Sequence, residues 1–62
     1  MFLMNEFDAA SFLRVSVRKV RQWTREGLLP YVALPNGAPR YIRDELFAYL
    51  QSRQQPAQEI NA

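Results

Sequence analysis

Three arginines, Arg18, Arg21 and Arg25, stand at a helical spacing in the middle of the chain. At about 100° per residue, a helix that begins at Val17 places their side chains within about 60° of arc. The three positive charges repel one another when nothing else is bound. Phosphates and base edges that face the row would offset this repulsion. Arginine donates paired hydrogen bonds to phosphate oxygens and to guanine, so the row is suited to bind a polyanion. A solvated, charged helix surface is the alternative interpretation.

Other polar side chains surround this row. Gln22 and Lys19 follow it on the helical wheel, and glutamine pairs with adenine as arginine pairs with guanine. Ser16 precedes the helix, where its hydroxyl and the free amides of the first turn favour a phosphate. Lys19 is equally consistent with a nucleic-acid contact and with exposure to solvent.

Positive charge is concentrated in the same part of the chain. The 62 residues carry a net charge of +2, but seven of the eight cations fall between positions 14 and 43. Glu26 is the one acid in that segment, which therefore has a net charge of +6. A basic middle with a neutralised exterior is typical of a protein that docks on nucleic acid.

The composition excludes most enzyme chemistry. The chain has no histidine and no cysteine, which removes the commonest general base and the thiolate metal ligands. Its two glycines cannot form a phosphate-binding loop. We therefore predict no enzymatic activity, no metal and no cofactor. Apolar runs are far shorter than the ~20 residues of a membrane span and too short for a signal peptide, so we expect a cytoplasmic protein with no membrane partner.

The first of two neighbouring helices is predicted over residues 6–13. Asn5 is its N-cap, and Asp8 occupies the acidic position of a capping box. Its expected apolar face consists of Phe7, Ala9, Ala10, Phe12 and Leu13. The two small alanines allow another helix to pack closely.

The arginine row lies on the second predicted helix, over residues 17–26. Ser16 caps its start, and Gly27 ends it by adopting a left-handed conformation. Because about three residues separate the two helices, the pattern predicts a helix-turn-helix. Trp23 shares a face with Val20 and is expected in the core.

A β-hairpin and a third helix are predicted after Gly27. Residues 31–34 and 40–42 form the strands, and the Asn36-Gly37 pair between them is a strong hairpin signal. Residues 43–52 form the third helix. Its expected buried face consists of Leu46, Phe47, Tyr49 and Leu50.

A chain of this length has room for one domain. We predict a fold that is mainly α with a small β-hairpin, a winged helix-turn-helix, over residues 1–52. Residues 53–62 are rich in glutamine and other polar residues and are predicted to form a disordered tail.

Several motifs occur together at fixed spacings. They are Ala9-Ala10 before Phe12-Leu13, Val15-Ser16 at the turn, Val20-Arg21-x-Trp23, R-E-G-L-L-P from Arg25 to Pro30, and R-x-D/E-L-x-A-F/Y-L from Arg43 to Leu50. In this combination, residues 5–50 resemble the excisionase / MerR-like winged helix-turn-helix family.

The resemblance implies a sequence-specific double-stranded DNA-binding protein of excisionase type, from a bacterium or phage, that associates with the nucleoid when bound. Such proteins act as architectural recombination directionality factors, and many repress transcription. An integrase or other recombinase is implied as a further partner. Because only a short polar tail follows the third helix, we expect a monomer in solution that binds cooperatively on DNA. The alternative is a protein-protein interaction module that uses the same fold, with Phe2, Leu3 and Met4 as its exposed apolar patch.

Two positions depart from the family pattern. The family usually has glycine where this chain has Arg14, so Arg14 must adopt a left-handed conformation or the turn must differ. The wing tip, residues 35–39, carries no cation, so Arg40 at its base is expected to make the wing's DNA contact. The complete set of candidate DNA-binding residues is Ser16, Arg18, Lys19, Arg21, Gln22, Arg25 and Arg40.

Overall fold

The computed structural model describes residues 3–55. The elements follow in the order β1 (Leu3–Met4), α1 (Glu6–Leu13), α2 (Val17–Arg25), β2 (Val32–Ala33), β3 (Pro39–Ile42) and α3 (Arg43–Ser52). The three predicted helices are confirmed, with α2 one residue shorter than expected. The prediction of a disordered tail falls mostly on residues 56–62, which lie outside the described residues.

Local interactions determine where α1 begins and ends. The Asn5 side chain accepts from the Asp8 amide at 2.8 Å, and the Asp8 carboxylate accepts from the Asn5 amide at 3.2 Å. This reciprocal pair is the predicted capping box. Arg14 ends the helix with φ 60° and ψ 44°, so it adopts the left-handed conformation itself. The Val15 amide then closes the turn onto the Ala10 carbonyl at 3.0 Å.

The predicted caps of α2 are also confirmed. The Ser16 hydroxyl accepts from the Lys19 amide at 3.2 Å at the start of the helix. Gly27 has φ +75° just beyond its end, and the Leu28 amide donates to the Trp23 carbonyl at 2.8 Å. This closing pattern satisfies carbonyls of the last turn, and it needs a residue that tolerates positive φ.

The sheet has three antiparallel strands, with β3 between β1 and β2. The β2–β3 pair is the predicted hairpin, which forms the wing. The sequence did not predict β1, because two residues are too short for a strand pattern to be recognised. Met4 in β1 lies opposite Tyr41 and is buried, whereas Leu3 is exposed. The expected exposed apolar patch is therefore wrong at Met4, and Phe2 lies outside the described residues.

The core forms where the three helices meet this sheet. Its buried side chains are Met4, Ala9, Ala10, Val20, Leu29, Tyr41 and Leu46. Trp23 and Tyr49 are half-buried and pack against them, which confirms their predicted place in the core. Ala9 and Ala10 keep the α1 surface flat enough for the neighbouring elements to approach.

Three aromatic or aliphatic residues that were expected in buried faces are exposed instead, namely Phe7, Phe47 and Leu50. In α3, Leu46 and Tyr49 are three residues apart and share the stripe that meets the core. Phe47 and Leu50 share the adjacent stripe, which a core this small does not reach. The two helices joined by a turn, with the third helix and the wing, form a winged helix-turn-helix fold.

Candidate nucleic-acid interface

The two faces of α2 have opposite character. Val20 is fully buried, and Trp23 packs against the core from the same side of the helix. The basic side chains Arg18, Lys19, Arg21 and Arg25 are all exposed. The structure therefore places four of the predicted site residues together on the solvent side of one nine-residue helix.

Ser16 and the first turn of α2 lie at one end of this surface. The Ser16 hydroxyl accepts the Lys19 amide, so its first role is that of a helix cap. The amides of Val17 and Arg18 precede the first helical hydrogen bonds, and such amides carry the positive end of the helix dipole. This end of α2 therefore suits an anion.

Arg21 forms a two-point ion pair with Glu6, the first residue of α1. Its Nε donates to Glu6 Oε1 at 3.0 Å, and its Nη2 donates to Glu6 Oε2 at 2.7 Å. The Arg21 side chain nevertheless stays 55% exposed. Its guanidinium carbon also lies 6.0 Å from the centre of the Phe7 ring. The sequence alone does not reveal this role of Glu6, since no local pattern connects residues fifteen positions apart.

The ion pair also affects protonation. The hydrogen bonds from Arg21 lower the pKa of the Glu6 carboxyl below its ordinary value, and the charges of Arg21 and Arg40 act in the same direction. Partial desolvation opposes them. Glu6 is therefore a carboxylate at neutral pH, and the Glu6–Arg21 pair is neutral as a unit.

The remaining polar residue of the predicted α2 set is Gln22, which is half-buried. Its Nε2 donates to Glu26 Oε2 at 3.2 Å, one turn further along the helix. The amide is thus held against the helix, with its carbonyl oxygen still available as an acceptor.

An open cleft of about 430 Å³ lies between α2 and the wing. Arg21, Thr24 and Arg25 line it from the helix, while Gly37 and Pro39 line it from the wing. The exposed ring of Tyr31 also contributes to the lining. The basic surface of α2 therefore continues into a concave region that ends at the wing.

In the wing, the residues that shape the turn differ from the residue predicted to contact DNA, Arg40. Asn36 accepts the Ala38 amide at 3.0 Å, and Gly37 has φ +88° with its amide bonded to the Leu34 carbonyl at 2.7 Å. Both residues therefore shape the turn. Arg40 is half-buried on β3 and donates to the Pro39 carbonyl at 2.8 Å. Its charge also acts on Glu6, the partner of Arg21.

Residues 3–55 contain neither a cluster of potential metal ligands nor a membrane-spanning helix. That part of the chain contains no cluster of three or more histidine, cysteine, aspartate or glutamate side chains placed to hold a metal ion. None of the helices described there has the length and apolar character to span a membrane.

Comparison with known protein families agrees with this geometry. A family model described as a helix-turn-helix domain matches residues 3–54. Searches among curated proteins and among solved structures found no match. The match extends from β1 through α3 and so includes both the helix pair and the wing. With most of its length accounted for in this way, the chain belongs to the helix-turn-helix domain family, a DNA-binding family that includes excisionase-like small proteins.

Proposed function

We propose that this protein binds double-stranded DNA sequence-specifically by placing α2 in the major groove. The observation that carries the proposal is the exposed row of cations on α2, opposite its buried face. An α-helix with its side chains is about 10–12 Å in diameter, and the major groove is about 12 Å wide, so α2 fits into the groove. The wing base then lies beside the DNA backbone.

The charges suggest which residues bind phosphates. Among residues 3–55, the ion pair between Arg21 and Glu6 is the only one, so Arg18, Lys19 and Arg25 have no acidic partner there. These three cations, with Ser16 at the helix start and Arg40 at the wing base, are the proposed backbone contacts. Gln22 and Arg21 complete the proposed DNA-binding set.

Selection of bound duplexes from a random pool tests sequence specificity directly. We expect a consensus, and binding to the selected duplex should weaken with a log–log salt slope near −4, as for about four neutralised phosphates. Arg18→Ala and Arg25→Ala should each reduce the magnitude of the salt slope by about one. Recovery of no consensus, together with a slope near zero, would contradict the proposal.

Arg53→Gln is the matched control for the loss of a cation. Arg53 lies beyond α3, with its guanidinium 5.7 Å from the Tyr49 ring. It lines a groove with Trp23, on the side of α2 opposite the basic row. We expect this variant to bind the selected duplex with unchanged affinity and salt slope.

Within DNA binding, we propose the excisionase type of action, as an architectural recombination directionality factor, a transcriptional repressor, or both. Support comes from the family match and from the small basic fold. The architectural role requires DNA bending, so in that role the protein should shift the mobility of circularly permuted duplexes according to the position of the site. We further propose that it is a monomer in solution, binds cooperatively to DNA, and works with an integrase, in a bacterial or phage setting.

The second candidate function is binding of a protein partner such as a recombinase. One observation favours it: an apolar groove of about 430 Å³ lined by Trp23, Leu28 and Leu50 among others. Leu28 and Leu50 are both exposed at its edges. Substitutions in this groove that abolish recombinase binding but leave DNA affinity unchanged would support it as an added function. The pool selection distinguishes it from DNA binding as the main function.

A further inference from the structure

The contact between Arg21 and Glu6 leaves one edge of the arginine free. A guanidinium has five N–H donors in a fixed plane, and Glu6 takes the Nε hydrogen and one Nη2 hydrogen. Within residues 3–55, the two Nη1 hydrogens and the second Nη2 hydrogen have no acceptor. The outer hydrogens of Nη1 and Nη2 point the same way, so a complete two-donor edge is still available for another acceptor pair.

Two contacts restrict the position of the Arg21 side chain that carries this free edge. Glu6 binds it through two hydrogen bonds, and the Phe7 ring lies 6.0 Å from its guanidinium carbon. Both residues come from the first turn of α1, which the Asn5 capping box holds in place. An arginine held in this way loses less conformational freedom on binding than a free one.

The charge of Glu6 determines which acceptors suit that edge. A phosphate that approaches Arg21 meets a pair with no net charge, and it is repelled by the nearby carboxylate. A base edge is uncharged, so it keeps the hydrogen bonds without that repulsion. Guanine offers O6 and N7 side by side in the major groove, which matches two parallel donors.

We propose that Glu6 is a positioning residue that determines specificity: it holds Arg21 so that its free edge reads a guanine, and it keeps phosphate away from that edge. The inference rests on the proposed function, since it assumes that α2 lies in the major groove. It assigns to α1 a role in readout that the basic row alone does not indicate.

The test compares variants on three kinds of duplex: the selected sequence, a series in which 7-deazaguanine replaces each consensus guanine in turn, and a scrambled sequence. Glu6→Gln keeps the size of the side chain but removes its charge and one acceptor. We expect it to weaken binding to the selected duplex about tenfold and to strengthen binding to the scrambled duplex two- to threefold. Its salt slope should become steeper, because Arg21 is then free to bind phosphate.

One of the 7-deazaguanine substitutions should weaken binding of the wild type more than the others do. The Arg21→Ala variant should bind that duplex and the selected duplex with equal affinity. In the Arg21→Ala background, Glu6→Gln should cause no further loss on the selected duplex, which shows that Glu6 acts through Arg21. Glu45→Gln is the control for charge, since Glu45 lies exposed in the first turn of α3. It should leave the ratio of selected to scrambled affinity unchanged.

The ratio of the affinities for the selected and scrambled duplexes is insensitive to folding defects, because an unfolded fraction lowers both apparent affinities equally. An unchanged ratio in Glu6→Gln would overturn the inference, and so would equal losses in Arg21→Ala on both duplexes with a shallower salt slope. In those cases wild-type DNA binding stands, and only the role of Glu6 is wrong. A wild-type protein that selects no duplex at all would overturn the proposed function and this inference with it.

Discussion

The phenol of Tyr41 in β3 donates a hydrogen bond to the hydroxyl of Thr24 in α2. The direction follows from the geometry, because the single Thr24 hydroxyl hydrogen is used toward the Val20 carbonyl at 2.8 Å. Tyr41 is fully buried at the centre of the sheet. This contact therefore fixes the sheet to the helix that carries the basic row.

Tyr41→Phe should lower the free energy of unfolding by about 0.5–1.5 kcal/mol, because it removes one buried hydrogen bond while it keeps the ring. In a domain of this size, each kcal/mol corresponds to about 4–8 °C in Tm. Urea unfolding measures the loss. Tyr31→Phe is the matched control, since Tyr31 is exposed. Equal stability changes in the two variants would show that the Tyr41 hydroxyl does not stabilise the fold.

Arg14→Gly should make the protein more stable. Arg14 has φ +60°, where a side chain costs roughly 1–2 kcal/mol relative to glycine, and the greater freedom of glycine in the unfolded chain offsets part of the gain. We expect a net increase of up to about 1 kcal/mol in thermal or urea unfolding. Ser11→Gly, inside α1, should instead lower stability by about 0.5–1 kcal/mol. A loss of stability in Arg14→Gly would mean that its side chain contributes more than the strain costs.

Trp23→Ala should destabilise the fold rather than remove a DNA contact. Full burial of a tryptophan is worth about 3–5 kcal/mol on truncation, and Trp23 is half-buried, so we expect about 2–4 kcal/mol. That is most of the ~3–5 kcal/mol available to a domain this small, so cooperative unfolding in circular dichroism should be lost. Leu28→Ala, at an exposed position of the same groove, should cost less than 1 kcal/mol. A folded Trp23→Ala variant that fails to bind DNA would place Trp23 in the interface instead.

The wing should contact DNA through its base and not through its tip. Arg40→Ala should reduce affinity and flatten the salt slope by about one unit, because it removes one cation beside the backbone. Asn36→Ala should leave affinity nearly unchanged, since Asn36 serves the turn by accepting the Ala38 amide. An NMR titration with the selected duplex resolves the two positions. Strong shifts at the tip amides with none at Arg40 would contradict this assignment.

Stability should depend on the protonation of Glu6 in acid. Its pKa is lowered in the folded protein, first by hydrogen bonds from Arg21, so the unfolded chain binds the proton more readily. The stabilisation is therefore present above the ordinary pKa of a glutamate and is lost as pH falls through the lower folded pKa. Urea midpoints measured from pH 6 to pH 3 should converge for the wild type and Glu6→Gln. A difference between them that stays constant over this range would show that the ion pair does not contribute.

Much of the fold could be predicted because its signals are local. The capping box at Asn5, the Ser16 cap and the positive φ of Gly27 each depend on residues within one helical turn. The division of α2 into a buried face at Val20 and a basic face also follows from the helical period alone. The left-handed Arg14 was one of two alternatives, and the structure selected it.

Other features depend on contacts between residues that are distant in the chain. Met4 becomes buried only because β1 pairs with β3, at Tyr41. Phe47 lies exposed because the small core has room for only one apolar stripe of α3. Helical periodicity cannot predict which stripe is buried when two neighbouring stripes are both apolar. The sequence by itself determined that the middle of the chain presents a row of arginines on a helix. Only the tertiary structure decided that Glu6 would neutralise one of them, because the packing of α1 against α2 brings the two side chains together across fifteen positions of sequence.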